Sequence, residues 1–379
     1  MDLIELNDQD KSWVNNIWEL IRRKTENTAS RIGDKIPYTV TANGRFDDRG
    51  TTEIAWWTNG FWSALMWLMY IGTNNETYRT IAENAENRLD NAFELPEELH
   101  HDVGFMWNLS SGVNYRLTDN IKSRRRWLIA SDLLAARYNI EGGFIRSWNG
   151  KGTEGYTIID GMMNIPMLYR AAKEFGDPRY EYIAKHHADK TLTDHIRPDG
   201  SVIHIVDHDV KDGRVTRTLG GQGYGEGSSW SRGQAWGIYG FALSYIHTKD
   251  ERYLNAAKRI AHYFISSVCD DYLPRCDFRS PAEPVVYDSS AGACAACGLI
   301  EIAKAVPELE KPIYLRAALN MLKAMNERFC DWNFDTDFIL GFGTELYGIE
   351  SKRHMPIIYG DYFFVEAIYK LKGFDFLLW

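Results

Sequence analysis

The chain has 379 residues, of which 45% are apolar and 25% are charged, so it can form a large globular core and is not a disordered chain. Its net charge of -9 argues against a nucleic-acid-binding protein, which needs a basic face, but permits a small anionic substrate held by local cations. The start of the sequence has no signal-peptide pattern and the apolar runs are too short to cross a bilayer, so we expect a cytoplasmic protein without a membrane partner. The five Cys are irregularly spaced and predict free thiols, with no metal site.

Helical periodicity dominates the chain, and two kinds of helix alternate. The first kind has an apolar stripe and a polar opposite face, as in the spacing of Trp13, Ile17 and Ile21. Such amphipathic helices are expected at 11–23, 78–89, 125–136, 179–191, 252–266 and 312–328. The second kind is apolar nearly all round and rich in Gly, Ala and aromatic residues, which predicts burial. These helices are expected at 58–71, 103–115, 160–172, 232–246, 289–305 and 361–370.

A similar signal, an aromatic residue followed by polar and small residues, stands at the start of each apolar helix. These starts recur about every 60 residues from Asn59 to Asp361, which fits one helical hairpin repeated six times. The sequence therefore predicts an all-α fold, an (α/α)6 six-hairpin barrel formed as a single domain over residues 1–379. A few short strands are expected in loops near 201–206 and 285–287. An open solenoid is the alternative, but no polar capping hairpin stands at either end of the chain.

Two carboxylates precede apolar helices. In a closed barrel all inner helices start at one end, so their preceding loops line one cleft, where functional residues are expected. Asp102 follows His100 and His101, and Asp160 follows the apolar run 157–159. A carboxyl group in an aromatic pocket beside a second carboxylate keeps its proton more easily and can act as a general acid at neutral pH. The alternative is that both side chains only cap their helices.

The segment 220–240 combines a glycine-rich stretch with Trp, Arg and Gln residues. It lacks the Lys-Ser/Thr ending and the preceding strand of a phosphate loop, so we interpret it as a flexible pocket wall followed by a buried helix. Trp230, Arg232 and Trp236 would then face the cleft mouth, where Arg232 can hold a carboxylate through two parallel hydrogen bonds. Core packing is the alternative for the two Trp.

Other candidate side chains are scattered along the chain. Trp57 and Trp148 add flat rings that suit the faces of sugars, and His204 lies in the predicted strand 201–206, where a buried structural role is equally consistent. The sequence has no nucleophile elbow with a Ser-His-Asp order, no H-E-x-x-H zinc motif and no dinucleotide fingerprint.

Six blocks of this sequence resemble the unsaturated glucuronyl hydrolases, a family of bacterial glycoside hydrolases. The blocks follow the family's order from about Trp57 to Tyr362, and the long fourth block is highly specific. They are Trp57-Thr-Asn-Gly-Phe-Trp-Ser, His100-His-Asp-Val-Gly-Phe, Ile158-Ile-Asp, Trp230-Ser-Arg-Gly-Gln-Ala-Trp-Gly-Ile-Tyr-Gly-Phe-Ala-Leu, Tyr287-Asp-Ser-Ser-Ala and Gly360-Asp-Tyr. The resemblance implies the same six-hairpin barrel.

The resemblance also implies a reaction. The family removes the 4,5-unsaturated uronic acid that polysaccharide lyases leave at the non-reducing end of oligosaccharides. An acid protonates C4 of this enol ether, water adds at C5, and the hemiketal opens to release the rest of the sugar. Since the anomeric carbon is not attacked, the usual rule that relates carboxylate separation to stereochemistry does not apply.

The matching positions take roles by the same resemblance. Asp160 corresponds to the general acid and base, and Asp102 to a second essential carboxylate that holds sugar hydroxyls and tunes Asp160. The implied substrate-binding residues are Trp57, His101, Trp148, His204, Gln222, Trp230, Arg232 and Trp236. The implied partner is an unsaturated oligosaccharide, and neither a metal nor an organic cofactor is implied.

Two positions depart from the family pattern. Gly221 stands where a His often precedes the Gln of the glycine-rich loop, and Asn59 stands where Asp is common. Both bear on substrate preference. The locally basic segment 350–354 suggests a contact with sulfate on a glycosaminoglycan, and a solvated loop is the alternative.

Other functions stay open at this point. An unsaturated rhamnogalacturonyl hydrolase acting on pectin fragments would share the barrel and the chemistry, although the His101-Asp102 pair and the block from Trp230 favour the glucuronyl reaction. A non-catalytic carbohydrate-binding protein would not need both Asp102 and Asp160. A sugar epimerase on the same barrel would need a pair of cleft His residues that the helix starts do not show. Monomer and homodimer are both open.

Overall fold

A computed structural model describes residues 6–379; the first five residues, where the sequence shows no signal-peptide pattern, lie outside the described part. The α-helices in chain order are α1 (Asp8–Ile32), α2 (Arg49–Thr52), α3 (Phe61–Thr73), α4 (Glu76–Arg88), α5 (Ser111–Thr118), α6 (Ile121–Ala135), α7 (Gly161–Asn164), α8 (Pro166–Phe175), α9 (Pro178–Asp194), α10 (Ser231–Thr248), α11 (Glu251–Ser267), α12 (Ser289–Ala305), α13 (Lys311–Arg328) and α14 (Ile358–Leu371). A π-helix forms at Gly104–Asn108, and 3₁₀ helices form at Trp57–Gly60, Leu89–Glu94 and Glu350–Lys352.

The apolar helices form a closed inner ring. In order around the ring these are α3, the π-helix with α5, α7 with α8, α10, α12 and α14, and α14 packs against α3 to close it. The amphipathic helices α1, α4, α6, α9, α11 and α13 pack outside the ring. Every residue of α14 is buried, whereas an outer helix such as α11 buries one face only. The predicted all-α (α/α)6 barrel is confirmed, and the open solenoid is wrong.

Two-residue turns explain why successive helices run antiparallel. In four hairpins the inner helix ends at a residue in the left-handed conformation, which reverses the chain. These residues are Asn74, Asp119, Gly176 and Lys249. The next side chain then caps the following outer helix by accepting a backbone N–H bond. These caps are Asn75, Asn120, Asp177 and Asp250. The inner helices therefore all start at the other end of the barrel.

Short strands are confined to the loops at that other end. β1 (Tyr138–Asn139) pairs with β2 (Phe144–Ile145), and β3 (Tyr156–Ile158), β4 (Ile205–His208) and β5 (Val215–Leu219) form an antiparallel sheet in the order β3-β4-β5. The strand predicted at 201–206 is shifted, since β4 begins only after His204. The one predicted at 285–287 is reduced to a single bridge between Tyr287 and Arg275.

All five cysteines are free, as predicted, and four of them are buried or half-buried. Between residues 6 and 379 the longest apolar stretches of helix fall short of what a bilayer span requires.

The inner helices approach each other so closely that an added methyl group between them should destabilise the fold. A Cβ at Gly240 in α10 would lie 2.5 Å from Cβ of Met162 and 2.8 Å from its carbonyl carbon. Ala forms helices better than Gly by about 1 kcal/mol, but forcing the α7 backbone away costs roughly 1–3 kcal/mol. We expect Gly240→Ala to lower the midpoint of urea unfolding. As a control, Gly348→Ala adds a Cβ that meets no atom within 4 Å and should leave the midpoint unchanged. Equal urea midpoints for Gly240→Ala and wild type would show that α10 and α7 can move apart at little cost in stability.

Candidate active site

Asp102 and Asp160 lie in one pocket where the inner helices start, and Asn164 joins them. Nδ2 of Asn164 donates to Oδ1 of Asp102 at 2.8 Å and to the backbone carbonyl of Asp160 at 3.1 Å. Oδ1 of Asn164 accepts from the backbone N–H of Phe105 at 2.9 Å. The side chains of Asp102 and Asp160 are only 8% and 9% exposed. Asn164 therefore ties the π-helix to α7 and fixes the two acids relative to each other.

The two acids differ in protonation although both are buried. Burial and the negative charge of Asp102 raise the pKa of Asp160 to about 8. Burial also acts to raise the pKa of Asp102, but His101 and, less strongly, His100 and an amide contact outweigh it and lower that pKa. Nε2 of His101 lies 3.2 Å from Oδ1 of Asp102, and Nδ1 of His100 lies 3.5 Å from Oδ2. At neutral pH the pocket thus holds one protonated acid, Asp160, and one carboxylate, Asp102.

His204 faces Asp160 from the position just before β4. The pairing of β3 with β4 extends to a bond of 3.1 Å from the N–H of Ile159 to the carbonyl of His204. Nε2 of His204 lies 3.6 Å from Oδ2 of Asp160, and both atoms are buried without a hydrogen-bond partner among the described residues. Burial lowers the pKa of His204 to about 3, so its ring is neutral at physiological pH. Unpartnered buried polar atoms that face one another mark a place for a ligand or water.

The glycine-rich stretch forms a wall beside His204, as predicted for a pocket wall. The backbone N–H of Gln222 donates to Nδ1 of His204 at 3.1 Å, and the Gln222 side chain donates to the carbonyl of Glu345 at 2.9 Å. The carboxylate of Asp277 fastens the same loop, accepting from the N–H of Tyr224 at 2.9 Å and from further donors nearby. The structure thus places the Gln222 side chain against the protein backbone.

Arg232 lies in a buried ion pair and not at the cleft mouth. Its Nη1 pairs with the carboxylate of Asp288 and donates to the carbonyl of Thr344 at 2.7 Å, and Nη2 donates to the carbonyl of Glu345 at 3.2 Å. The side chains of Arg232 and Asp288 are 1% and 0% exposed. Trp230, also buried, lies against the guanidinium at 4.5 Å. These contacts use the Nη groups of Arg232 within the protein. Arg232 therefore stabilises the pocket and does not itself hold a substrate carboxylate.

The aromatic residues divide between the pocket and the core. Trp57 is half-buried, with its ring 5.3 Å from Tyr359 and 5.2 Å from Phe105. Trp236 is fully buried, 5.4 Å from Phe105, which fits the core-packing alternative for this residue. Trp148 is half-buried in the loop before β3. Of these three rings, Trp57 and Trp148 therefore keep exposed surface.

The contacts of the acids also test the capping alternative. Asp160 makes no side-chain bond to the N–H groups that open α7, and Asp288 makes none in α12. The oxygens of Asp102 instead meet Asn164 and the two His residues before it. Side-chain capping is supplied by the polar residues that precede the outer helices, so helix capping does not explain why acids stand at the inner starts.

One group of possible metal ligands lies here among residues 6–379. The ligand atoms of His100, His101 and Asp102 are within 4.8 Å of one another. The backbone N–H of Asp102 donates to Nδ1 of His100 at 3.4 Å, and Asn164 occupies Oδ1 of Asp102. Nδ1 of His100 is thus an acceptor in this arrangement, and Asn164 is the side chain that donates to the Asp102 carboxylate.

Three further positions complete the site. Asn59, one of the departures from the family pattern, is buried and donates to the carbonyls of Glu53 and Ile54 at 3.0 and 2.9 Å, so it closes the loop before α3. Asn164 and Asp288 were missed by the sequence analysis. The sequence could have indicated Asn164, because it stands four residues after Asp160 and thus on the same side of a helix.

The basic segment predicted to meet sulfate borders the pocket wall. Nζ of Lys352 lies 2.9 Å from Oε2 of Glu345, and the Lys352 side chain is 40% exposed. Nε of Arg353 donates to the carbonyl of Tyr347 at 2.7 Å, and the N–H of Tyr347 donates to the carbonyl of Gln222 at 3.0 Å. The two cations thus lie beside the loop that carries Gln222.

Comparisons with known proteins find relatives over nearly the whole chain. No protein-family model matches the chain. A curated unsaturated glucuronyl hydrolase from Bacillus sp. (strain GL1) is 35% identical over 361 residues, covering 92% of this chain and 94% of that protein. An unsaturated chondroitin disaccharide hydrolase from Streptococcus pneumoniae is 32% identical over 369 residues, covering 94% of this chain and 91% of that protein.

Solved structures give the same result. The crystal structure of unsaturated glucuronyl hydrolase from Streptococcus agalactiae matches with a TM-score of 0.89 at 29% identity, over 100% of this chain and 95% of that chain. Sequence relatives above 30% identity and a shared helical barrel, both over nearly the whole length, lead to one conclusion: the chain belongs to the unsaturated glucuronyl hydrolase family and is a hydrolase.

Proposed function

We propose that this enzyme releases 4,5-unsaturated uronic acid from the non-reducing end of lyase-generated oligosaccharides by adding water across the C4=C5 double bond. The observation that carries the proposal is a buried pair of acids in opposite protonation states. Asp160, with its pKa raised to about 8, holds a proton at neutral pH, while Asp102 is ionised. An enol ether needs such a proton at C4 before it reacts with water.

The proton on Asp160 would begin the reaction. Asp160 transfers its proton to C4, the C4=C5 double bond is lost, and positive charge develops at C5 and the ring oxygen. A water molecule forms the new C5–O bond and gives a proton back to the Asp160 carboxylate. The hemiketal then opens and the remaining oligosaccharide leaves. Asp160 thus acts first as acid and then as base and ends in its starting state.

The neighbouring groups support this cycle. Asp102 binds sugar hydroxyls, and its charge keeps the proton on Asp160 between turnovers. His204, whose unpartnered Nε2 faces Asp160, borders the place of the attacking water. His101 holds Asp102, and Trp57 and Trp148 supply ring surfaces to the sugar. No step calls for a metal or an organic cofactor.

Substrates of glycosaminoglycan type are favoured. One relative is an unsaturated chondroitin disaccharide hydrolase, one solved relative is specific for heparin, and a variant of another was solved in complex with dGlcA-GalNAc6S. The cations Lys352 and Arg353 beside the pocket wall suit a sulfated sugar in the next subsite. We further propose that residues 1–379 act as a single catalytic domain in the bacterial cytoplasm, with no nucleic-acid or membrane partner.

Removal of the acid should abolish turnover. We expect wild-type enzyme to consume the ultraviolet absorbance of unsaturated disaccharides from chondroitin, hyaluronan or heparin, and Asp160→Asn to lower kcat by roughly 10²- to 10⁴-fold, because Asn cannot donate a proton to C4. Asp335→Asn, at an exposed Asp in another loop, is the matched control and should keep full activity. Turnover of pectin disaccharides alone would establish the rhamnogalacturonyl alternative. Stable absorbance with every substrate would contradict the proposed reaction on these disaccharides.

The pH dependence should report the raised pKa. Because Asp160 must be protonated to act, kcat/KM should fall as pH rises above about 8, the pKa to which burial and Asp102 raise it. Asp102→Asn removes the negative charge that opposes ionisation of Asp160 and so lowers the pKa of Asp160. The residual kcat/KM of this variant should therefore begin to fall at a lower pH than that of wild type. The measurement is kcat/KM from pH 5 to about 10 at high enzyme concentration. Identical limbs in both enzymes would contradict the assigned role of Asp102.

The sulfate contact is tested by charge removal. Lys352→Ala combined with Arg353→Ala should lower kcat/KM for a sulfated chondroitin disaccharide by roughly tenfold, because a charge-assisted contact is lost, and leave the unsulfated disaccharide nearly unchanged. Lys249→Ala, at the opposite end of the barrel, is the control. Equal loss on both disaccharides, or no loss on either, would remove the sulfate hypothesis and leave a solvated loop.

A further inference from the structure

We propose that Gly221 is a positioning residue: having no side chain, it lets the backbone amide of Gln222 fix the tautomer of His204 so that the ring N–H at Nε2 faces Asp160. The inference rests on the proposed function, in which Asp160 gives up and regains a proton. It concerns a position at which the sequence departs from the family pattern and whose role the site geometry had left unexplained.

The tautomer follows from one backbone hydrogen bond. The N–H of Gln222 donates to Nδ1 of His204 at 3.1 Å, so Nδ1 is an acceptor and carries no proton. A neutral imidazole has one ring proton, which must then be on Nε2. Nε2 lies 3.6 Å from Oδ2 of Asp160, and neither atom has another partner among residues 6–379.

The bond can form because residue 221 lacks a Cβ. Gly221 has φ +59°, and a Cβ built there would lie 2.1 Å from Nδ1 and 2.6 Å from Cε1 of His204. His204 cannot retreat, because Trp230 covers its ring with the two centroids 4.2 Å apart. A side chain at 221 must therefore displace either the imidazole or the turn that presents Gln222.

The turn is held in place independently of His204. The N–H of Tyr347 donates to the carbonyl of Gln222 at 3.0 Å, and Asp277 accepts from the N–H of Tyr224 two residues later. The carbonyl of Gly220 also acts on the His204 ring and favours a bound proton. A proton on Nδ1 would suit that carbonyl, but it would leave the fixed Gln222 amide unpaired and aim a nitrogen lone pair at Asp160.

The tautomer matters once Asp160 has lost its proton. An N–H at Nε2 can donate to the new carboxylate, whereas a lone pair at Nε2 would repel it, so the clamp favours proton transfer to C4. Charged and titratable groups that act on this pair from the surrounding elements are Asp102, Arg232, His101, His195 and Tyr359. All of them are unchanged in the variants below.

The tautomer itself can be observed. In protein labelled with nitrogen-15 histidine, a long-range proton–nitrogen correlation spectrum at pH 7 distinguishes the two neutral tautomers, and loss of one signal set in His204→Gln assigns His204. We expect the Nε2–H form in wild type. An Nδ1–H form, or a doubly protonated ring, would overturn the proposal, and this result needs neither turnover nor a folded variant at position 221.

Kinetics test the consequence. Gly221→Ala should lower kcat by roughly ten- to a hundredfold with a much smaller change in KM, and it should move the alkaline limb of kcat/KM to higher pH because the Asp160 carboxylate loses a donor. Gly225→Ala is the matched control in the same loop, since a Cβ there meets no atom within 4 Å. Lower kcat with an unmoved limb and an intact Nε2–H tautomer would mean a structural role only, and would overturn the inference.

The two proposals fail in different ways. If wild-type enzyme leaves all unsaturated disaccharides unchanged, the proposed function fails, whatever the spectrum shows. If the disaccharides are consumed but His204 carries its proton on Nδ1, the function stands and the clamp fails.

Discussion

The amide of Asn164 makes the contact on which the rest of the pocket depends. It donates to the Asp102 carboxylate and to the Asp160 backbone, and it accepts from the π-helix at Phe105. Two buried acids that share a pocket cannot both ionise cheaply, so one of them keeps its proton. Asn164 helps to decide which one, because its amide donates to the Asp102 carboxylate, whereas Oδ2 of Asp160 is buried without a hydrogen-bond partner among the described residues.

Close approach of the inner helices makes this contact possible. A Cβ at Gly104 would lie 2.7 Å from Cα of Asn164, and one at Gly60 would lie 2.1 Å from the carbonyl oxygen of Phe105. Three neighbouring helix starts therefore touch backbone to backbone, with no side chain between them. The glycines that follow the aromatic signals in the sequence serve this packing, which brings a short side chain such as Asn within reach of both acids.

Periodicity was enough to predict the ring, because alternation of amphipathic and apolar helices requires an inside and an outside. It also predicted that Asp102 and Asp160 meet in one cleft, since hairpins of equal sense put all inner starts at one end. It did not predict that Arg232 pairs with Asp288, because that contact joins segments over 50 residues apart. The glycine-rich segment could be recognised as a pocket wall, but the bond from Gln222 to His204 depends on a backbone turn that composition does not specify.

The ion pair of Arg232 resolves an apparent conflict in the electrostatics. An arginine near Asp160 acts to lower the pKa of that acid and so favours loss of the proton that the reaction needs. Asp288, fully buried against the guanidinium, supplies a compensating negative charge, and the carbonyls of Thr344 and Glu345 take up further donors. A buried charge without a partner is strongly destabilising, so Arg232 and Asp288 each require the other. Substitution of Asp288 would therefore leave the charge of Arg232 uncompensated, lower the pKa of Asp160 and favour its ionisation. Asp288 thus helps to keep Asp160 protonated although it does not contact the substrate.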